Sequence, residues 1–252
     1  MSAIAPRVSI VVPAYNEGDA VKPFLLRVAD RVTVPFELLV VVDTPDDTTI
    51  PAVDDIARLD ARIRTVVNTH GRGPANAIRY GFDVAKAPTV VVMMADGSDD
   101  PRQVDALTDL IERGVVVAAG SRYMAGGQQI GGPRIKRALS RLAGRSLHLF
   151  ASIGTRDATN SFKAYNAEFV REVTIQSRDG FEIGLELTAK ARRARQPVAE
   201  LPTIWLDRTD GVSNFQLRKW IPKYLRWYFF AFGRPLPINE IERAAAGTKG
   251  DS

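Results

Sequence analysis

Five short runs in the first 120 residues are almost wholly apolar, and polar turns and amphipathic stretches separate them. They are Val8–Val12 (VSIVV), Phe36–Asp43 (FELLVVVD), Ile63–Asn68, Thr89–Met94 (TVVVMM) and Val115–Ala119. Each has the length of a strand and little in-out alternation. A strand that is apolar on both faces must be covered on both faces, as in a parallel sheet flanked by helices. The segments between them predict helices over about 19–28, 52–59, 74–85 and up to Glu112. A chain of 252 residues is long enough to bury such a sheet under two helical layers.

The second half is less regular. Gly126–Gly132 reads as a glycine-rich, mobile loop. It leads into a basic amphipathic helix, Arg134–Phe150, which carries Arg134, Lys136, Arg137, Arg141 and Arg145. Glu182–Arg193 reads as a helix and Val198–Trp205 as a strand. The stretch LRKWIPKYLRWYFFAF (217–232) mixes aromatic rings with four cations. That composition suits a membrane interface, and equally a terminal helix packed on the core. Pro222 is expected to kink or restart that helix. Ala244–Ser252 reads as a frayed end.

Composition removes several chemistries. There is no cysteine, so disulfides, thiolate-bound metals and cysteine nucleophiles are excluded, and a reducing compartment fits. The two histidines, His70 and His148, do not make a multi-histidine metal site. No apolar run approaches the roughly 18–20 residues that span a bilayer, and no export signal is visible. These features predict a soluble or peripheral protein. The net charge of +5 is unevenly spread: residues 1–120 sum to −5 and residues 121–252 to +10. The basic half suits nucleic acid, anionic lipid or phosphate, or is simply a solvated surface.

Ligands of open α/β sheets bind outside the carboxyl ends of the strands. That rule selects the loops Pro13–Glu17, Asp43–Asp47, His70–Gly73 and Ala95–Pro101. Glu17, Asp43, Asp96, Asp99 and Asp100 would line one rim, where acids can hold a hard cation and through it a diphosphate. Aspartates also cap helices and close turns, the favoured reading for Asp46, Asp47, Asp99 and Asp100. An acidic rim repels a phosphate backbone, which argues against nucleic acid.

In order, VSIVVPAYNEG, FELLVVVDTPDDTT, GRGPANAIRYGF, VVVMMADGSDDP and GSRYMAGG resemble the inverting family-two nucleotide-sugar glycosyltransferases. DATNSFKAY, GFEIGLEL and LPTIWLDRTDGVSNF resemble the branch that glycosylates polyprenyl phosphates. The resemblance covers about residues 7–215. It implies a GT-A fold: a Rossmann-like, mostly parallel sheet with helices on both faces in residues 1–215. Residues 216–252 would add a basic, aromatic C-terminal helical region.

The resemblance also implies roles. Pro13, Tyr15, Glu17, Val41, Asp43, Arg72, Ala95 and Asp96 would bind the nucleotide sugar. Asp96 and Ser98 would hold Mg²⁺ or Mn²⁺. Arg122, Arg134, Lys136, Arg208 and Ser213 would hold the acceptor phosphate, with Asp96, Arg122 and Arg208 at the reaction centre. Asp157 and Asn160, which read with Ser161 and Lys163 as a polar loop against the sugar, and Glu182 would face the sugar. Met94 and Val42 stand where the family carries acids, and Asn214 where it carries a lysine, so the cation site and the phosphate clamp depart from the pattern. The implied partners are a nucleotide-sugar donor, a polyprenyl phosphate, a membrane surface at its cytoplasmic face and a separate membrane anchor, with no nucleic acid. Two alternatives stay open. One is a transferase to a sugar hydroxyl with Glu182, Glu186 or Asp157 as base; the other is a nucleotide-binding scaffold without catalysis. Glu182 and Glu186 also read as an exposed helix face paired with Lys190 and Arg193.

Overall fold

The computed structural model describes residues 4–207 and 217–247. The first half alternates as the apolar runs require: β1 (Val8–Pro13), α1 (Lys22–Arg31), β2 (Phe36–Val42), α2 (Thr49–Ala57), β3 (Ile63–Val67), α3 (Pro74–Val84), β4 (Thr89–Val92), α4 (Val104–Glu112) and β5 (Val117–Ser121). The second half adds β6 (Gln128–Ile130), α5 (Arg134–Phe150), β7 (Lys163–Asn166), α6 (Ala167–Glu172), α7 (Ile183–Arg193), β8 (Val198–Pro202), β9 (Ile204–Leu206), α8 (Leu217–Phe230) and α9 (Ile238–Gly247).

The main sheet has the order β3-β2-β1-β4-β7-β5-β8. All its strands run parallel except β7, which is antiparallel to both β4 and β5. A two-stranded parallel ribbon joins β6 to β9. Successive residues of one strand enter opposite cores. Val8, Ile10 and Val12 pack with Phe24, Leu25, Val53 and Leu107 on one face. Val11, Leu39 and Val41 pack with Ile78, Phe82 and Leu187 on the other. This two-sided burial is why the strands show no alternation. A third cluster joins Leu147 of α5, Leu185 of α7, Trp227 and Phe230 of α8, and Ile241 of α9.

The differences from the sequence reading lie in the second half. Val198–Trp205 is two strands in two sheets, because the backbone at Thr203 turns to bond Ser121 and Gln128. The glycine-rich loop contains β6, with positive-φ glycines 126, 131 and 132 on either side of it. DATNSFKAY read as a polar loop, yet its last three residues enter the sheet as β7. The region read as frayed begins inside α9, whose Ile241 and Ala245 are fully buried. α8 continues through Pro222. The missing donor lies near the start of the helix, and its cost is offset by the burial of Trp227 and Phe230 further along.

Gly144 is the point where α5 meets the loop that precedes β7. A Cβ there would lie 2.0 Å from the Arg156 carbonyl oxygen. Alanine favours helix over glycine, but a backbone oxygen does not yield to it. Gly144→Ala is expected to destabilise the protein by about 1–3 kcal/mol. Thermal denaturation checks this; an unchanged or raised midpoint contradicts the packing.

Candidate active site

The carboxyl ends of β1, β2 and β4 and the amino end of β7 meet along one edge of the sheet, because β7 runs against its neighbours. The loops there hold one another. The Asn16 amide, at a positive φ, donates to both carboxylate oxygens of Asp47 at 3.1 Å. Asp47 also accepts from the Thr49 amide at 2.8 Å, so it is a buried turn-former. Asp43 accepts from Asn68 Nδ2 at 3.0 Å and from the Gly73 amide at 2.8 Å. It thereby joins the end of β2 to the start of α3. Pro13 and Val41 are buried register partners, Ala95 is buried, Glu17 is half-buried, and Tyr15 and Arg72 are exposed.

After β4 the chain turns sharply. Asp96 is half-buried and accepts from the Ser98 amide at 3.0 Å. Asp99 is buried and accepts from the Met94 amide at 3.0 Å. Burial, with the Asp96 carboxylate beside it, pushes the Asp99 carboxyl up to about 7. Asp100 caps the turn at Arg102. The turn-and-cap reading therefore describes Asp47, Asp99 and Asp100, although Asp99 does its work from the interior.

Arg122 follows β5, and Asp157 is fully buried opposite it. Asp157 Oδ2 accepts from Arg122 Nε at 2.7 Å and from its amide at 3.0 Å, while Oδ1 accepts from Nη2 at 2.8 Å. This is a fork-on-carboxylate pair. Burial opposes the Arg122 charge, but Asp157 outweighs it and holds the pKa above the ordinary arginine value. Asn160 Nδ2 donates to the Gly120 carbonyl at 2.8 Å and fixes the same loop. Asp157 and Asn160 were expected to face a sugar; the structure turns both side chains inward.

Lys163, expected with Asp157, Asn160 and Ser161 in a polar loop against the sugar, lies instead inside the sheet. It opens β7, is fully buried, and donates to the carbonyls of Ala158, at 3.1 Å, and Asn160. Burial pulls its ammonium down to about 7 against the attraction of Asp157 and Asp99.

Lys136 lies close enough to Arg122 to feel it. Burial and that repulsion lower its pKa, and Asp207 opposes them. The structure thus brings Arg122 and Lys136 together, while Arg134 is exposed at the start of α5. Arg208 and Ser213 lie outside the described residues. Glu182 is buried; it accepts from the Gly180 amide at 3.2 Å, and burial pushes its carboxyl up. Its Oε2 has no hydrogen-bond partner. Glu186 is buried too, 2.5 Å from Lys190. The exposed-face reading of these two glutamates is therefore corrected: α7 is packed on nearly every side.

Residues 9–174 match the model of glycosyl transferase family 2. The chain belongs to that family. This glycosyltransferase is 28% identical over 230 residues to the polyprenol monophosphomannose synthase of Mycolicibacterium smegmatis, covering 88% of this chain and 86% of that protein. It is 29% identical over 242 residues to the dolichol-phosphate mannosyltransferase of Saccharomyces cerevisiae, covering 89% and 88%. In fold it is similar to glucosyl-3-phosphoglycerate synthase from Mycobacterium tuberculosis, solved with Mn²⁺, UDP-glucose and phosphoglyceric acid. The TM-score is 0.65 at 17% identity, over 92% of this chain and 81% of that one. The GT-A architecture implied by the motifs is the one found.

The titration of Lys163 has a measurable sign. Its folded pKa of about 7 lies below the unfolded value of roughly 10.4. Between these values the unfolded chain binds the extra proton, so the Lys163 contribution makes stability rise with pH from about 7 to about 10. Lys163→Met is expected to flatten that rise. Urea unfolding at several pH values compares the two chains; identical slopes contradict the assignment.

Proposed function

We propose that this glycosyltransferase moves a hexose from a nucleoside-diphosphate sugar to a polyprenyl phosphate, with inversion at the anomeric carbon. The observation that carries the reading is the pairing of cationic Arg122 and Lys136 at the strand edge that also bears Asp96. The relatives named for polyprenol and dolichol phosphate support the acceptor class.

A phosphate monoester is anionic near neutral pH, with a second pKa of about 6. Its oxygen attacks the anomeric carbon, the bond from that carbon to the diphosphate breaks, and the nucleoside diphosphate leaves. No protein base is required. The chain's own tasks are to hold the two anions in line and to keep Arg122 oriented. Asp157 does the second, through its bidentate pair, and Lys136 adds charge at the acceptor phosphate.

Among the described residues no three acidic or histidine side chains gather to hold a metal. The donors present are oxygens: the Asp96 carboxylate and the buried Ser98 Oγ, which has no hydrogen-bond partner. They fit a hard cation such as Mg²⁺ or Mn²⁺ whose other ligands are diphosphate oxygens and water. When bound, such an ion would neutralise the departing diphosphate. Met94 offers no oxygen there, so Asp96 bears the site.

The unpartnered Glu182 carboxylate oxygen favours one second reading, transfer to a hydroxyl with Glu182 as base. Incubation with labelled nucleotide sugars, polyprenyl phosphate and divalent cation separates the two. The lipid reading expects butanol-extractable label and a loss of about 100-fold or more in Asp96→Asn. It also expects Lys136→Ala to raise the acceptor KM more than it lowers kcat. Absence of extractable label with every common donor overturns it. Glu182→Gln is expected to keep transfer within about threefold; a loss of 100-fold or more, with turnover that needs no lipid, would establish the hydroxyl acceptor.

A further inference from the structure

The Lys163 side chain is shut away from solvent and from any substrate, and an ammonium is costly to bury. Its protons go to two backbone carbonyls, those of Ala158, at 3.1 Å, and Asn160. Both carbonyls belong to one tight turn. The Asn160 amide donates back to the Asp157 carbonyl at 3.3 Å, and the Asp157 amide donates to Thr155 Oγ1 at 3.0 Å. Asp157 and Ala158 are fully buried and Asn160 is nearly so. Carbonyls in such a place need a donor from the protein itself. α7 closes the arrangement from the other side: a Cβ on Gly184 would lie 3.4 Å from Lys163 Nζ and 3.5 Å from the Asn160 carbonyl oxygen.

The same turn aims Arg122. Its first residue is Asp157, whose carboxylate accepts from Arg122 Nε, Nη2 and amide. Its last is Asn160, whose Nδ2 holds the carbonyl of Gly120, two residues before Arg122. Arg122 Nη1 takes part in none of these bonds and is left to meet an anion. Lys163 thus holds the backbone of four residues whose side chains hold Arg122 and the end of β5. The two cations also share one counter-charge: Asp157 attracts the Lys163 ammonium while Arg122 repels it. Take the ammonium away, and two buried carbonyls lose their donor. The turn relieves that loss only by moving, and Asp157 moves with it.

We propose that Lys163 is a positioning residue for the transfer reaction: its buried ammonium fixes the 157–160 turn, and the turn fixes the direction in which Arg122 presents Nη1 to the acceptor phosphate. The phosphate in this statement rests on the acceptor proposed above; the coupling of Lys163 to Arg122 does not.

A double-mutant cycle tests the coupling. Lys163→Met keeps the stem and removes the donors. It is expected to lower kcat/KM for polyprenyl phosphate by roughly 30- to 100-fold, the scale of a misplaced catalytic group. The Kd for GDP or UDP with Mg²⁺, titrated by calorimetry, is expected to stay within about twofold. Arg122→Lys keeps a cation beside Asp157 but has no fork to aim. Adding Lys163→Met to it is expected to change kcat/KM by less than about threefold, because the lysine acts through the arginine. A single variant within about threefold of wild type, a Lys163→Met loss of equal size in both backgrounds, or an equal loss of nucleotide affinity would each overturn the proposal. Where Lys163→Met does not fold, Lys163→Gln, whose amide still donates but reaches less far, is read by the same criteria with an expected loss of about tenfold.

A second readout needs no substrate. The Arg122 Nε–H resonance in NMR spectra of the isotope-labelled chain, identified by its loss in Arg122→Lys, is expected to be sharp and protected in the wild type. In the Lys163 variants it is expected to exchange at least about tenfold faster; an unchanged resonance overturns the positioning. Wild-type protein that yields no butanol-extractable product overturns the acceptor reading instead, and the resonance then decides the positioning by itself.

Discussion

The reversed strand β7 is the constraint on which the site depends. Lys163 pairs in register with Val92 of β4 on one side and with Ala119 of β5 on the other. Because β7 runs against both, the chain enters the sheet at the edge where β4 and β5 end. The loop 155–162 therefore arrives beside the Asp96 turn and Arg122 and carries Asp157 with it. A parallel strand in the same place would deliver that loop to the opposite edge. The bidentate Asp157–Arg122 pair then closes the arrangement, with the arginine's Nε and Nη2 and its own backbone amide converging on one buried carboxylate. Removing one partner of such a pair leaves a charge buried alone, so the loop and the strand end are held as a unit.

This geometry explains the unequal charge of the two halves. The acidic half spends much of its carboxylate on shape: Asp47 and Asp43 bind loop amides, Asp100 caps a turn, and Asp99 holds the Met94 amide from the interior. Repulsion from the half-buried Asp96 acts on the buried Asp99, whose carboxyl is raised first by burial and then by that neighbour. Apart from Arg122, Lys163, Lys190 and Arg193, which lie inside or nearly so, the basic half presents its charge on surfaces, chiefly along α5. The division of labour is thus between acids that build loops at the strand edge and cations that present a face.

Most of the first half was legible because fully apolar runs bounded by turn residues have one physical solution, burial on both faces of a parallel sheet. Boundaries moved by a residue or two, and β5 began at Val117 rather than Val115. The second half was less legible for two reasons. β7 has four residues and begins with a lysine, so no periodicity marks it; only pairing on both sides stabilises it. The polar residues near the site also changed meaning with burial. Asp157, Asn160, Glu182 and Glu186 carry the composition of a polar surface, yet each is buried. The partners of Asp157 and Asn160 are 35 and 40 residues away, and spacing along the chain does not report them; Glu186 does pair with Lys190 at the helical spacing, but inside rather than on an exposed face. The acids of the rim were placed correctly by the strand-end rule, but which of them serve as turn ties emerged only from their contacts.

The C-terminal helices belong to the argument about the site as well as to the surface. Glu186 and Lys190 of α7 form a buried pair; Glu186 accepts from the amides of Gln176 and Ser177 at 2.7 Å, and Lys190 donates to the Thr174 carbonyl at 2.5 Å. Trp227 of α8 donates to Ser177 Oγ at 3.1 Å and lies under the Lys190 ammonium. Lys223 reaches Asp179 at 2.6 Å, and the Asp179 carbonyl lies close to the Cα of Gly73, where a Cβ would come within 3.2 Å of it. The segment 174–182, which ends at Glu182, is therefore clamped between α7, α8 and the loop that Asp43 holds. α8 fixes a wall beside the strand edge. The contacts that Trp227 and Lys223 make with this segment therefore help to set the position of Glu182, and the site's geometry depends on the C-terminal helices.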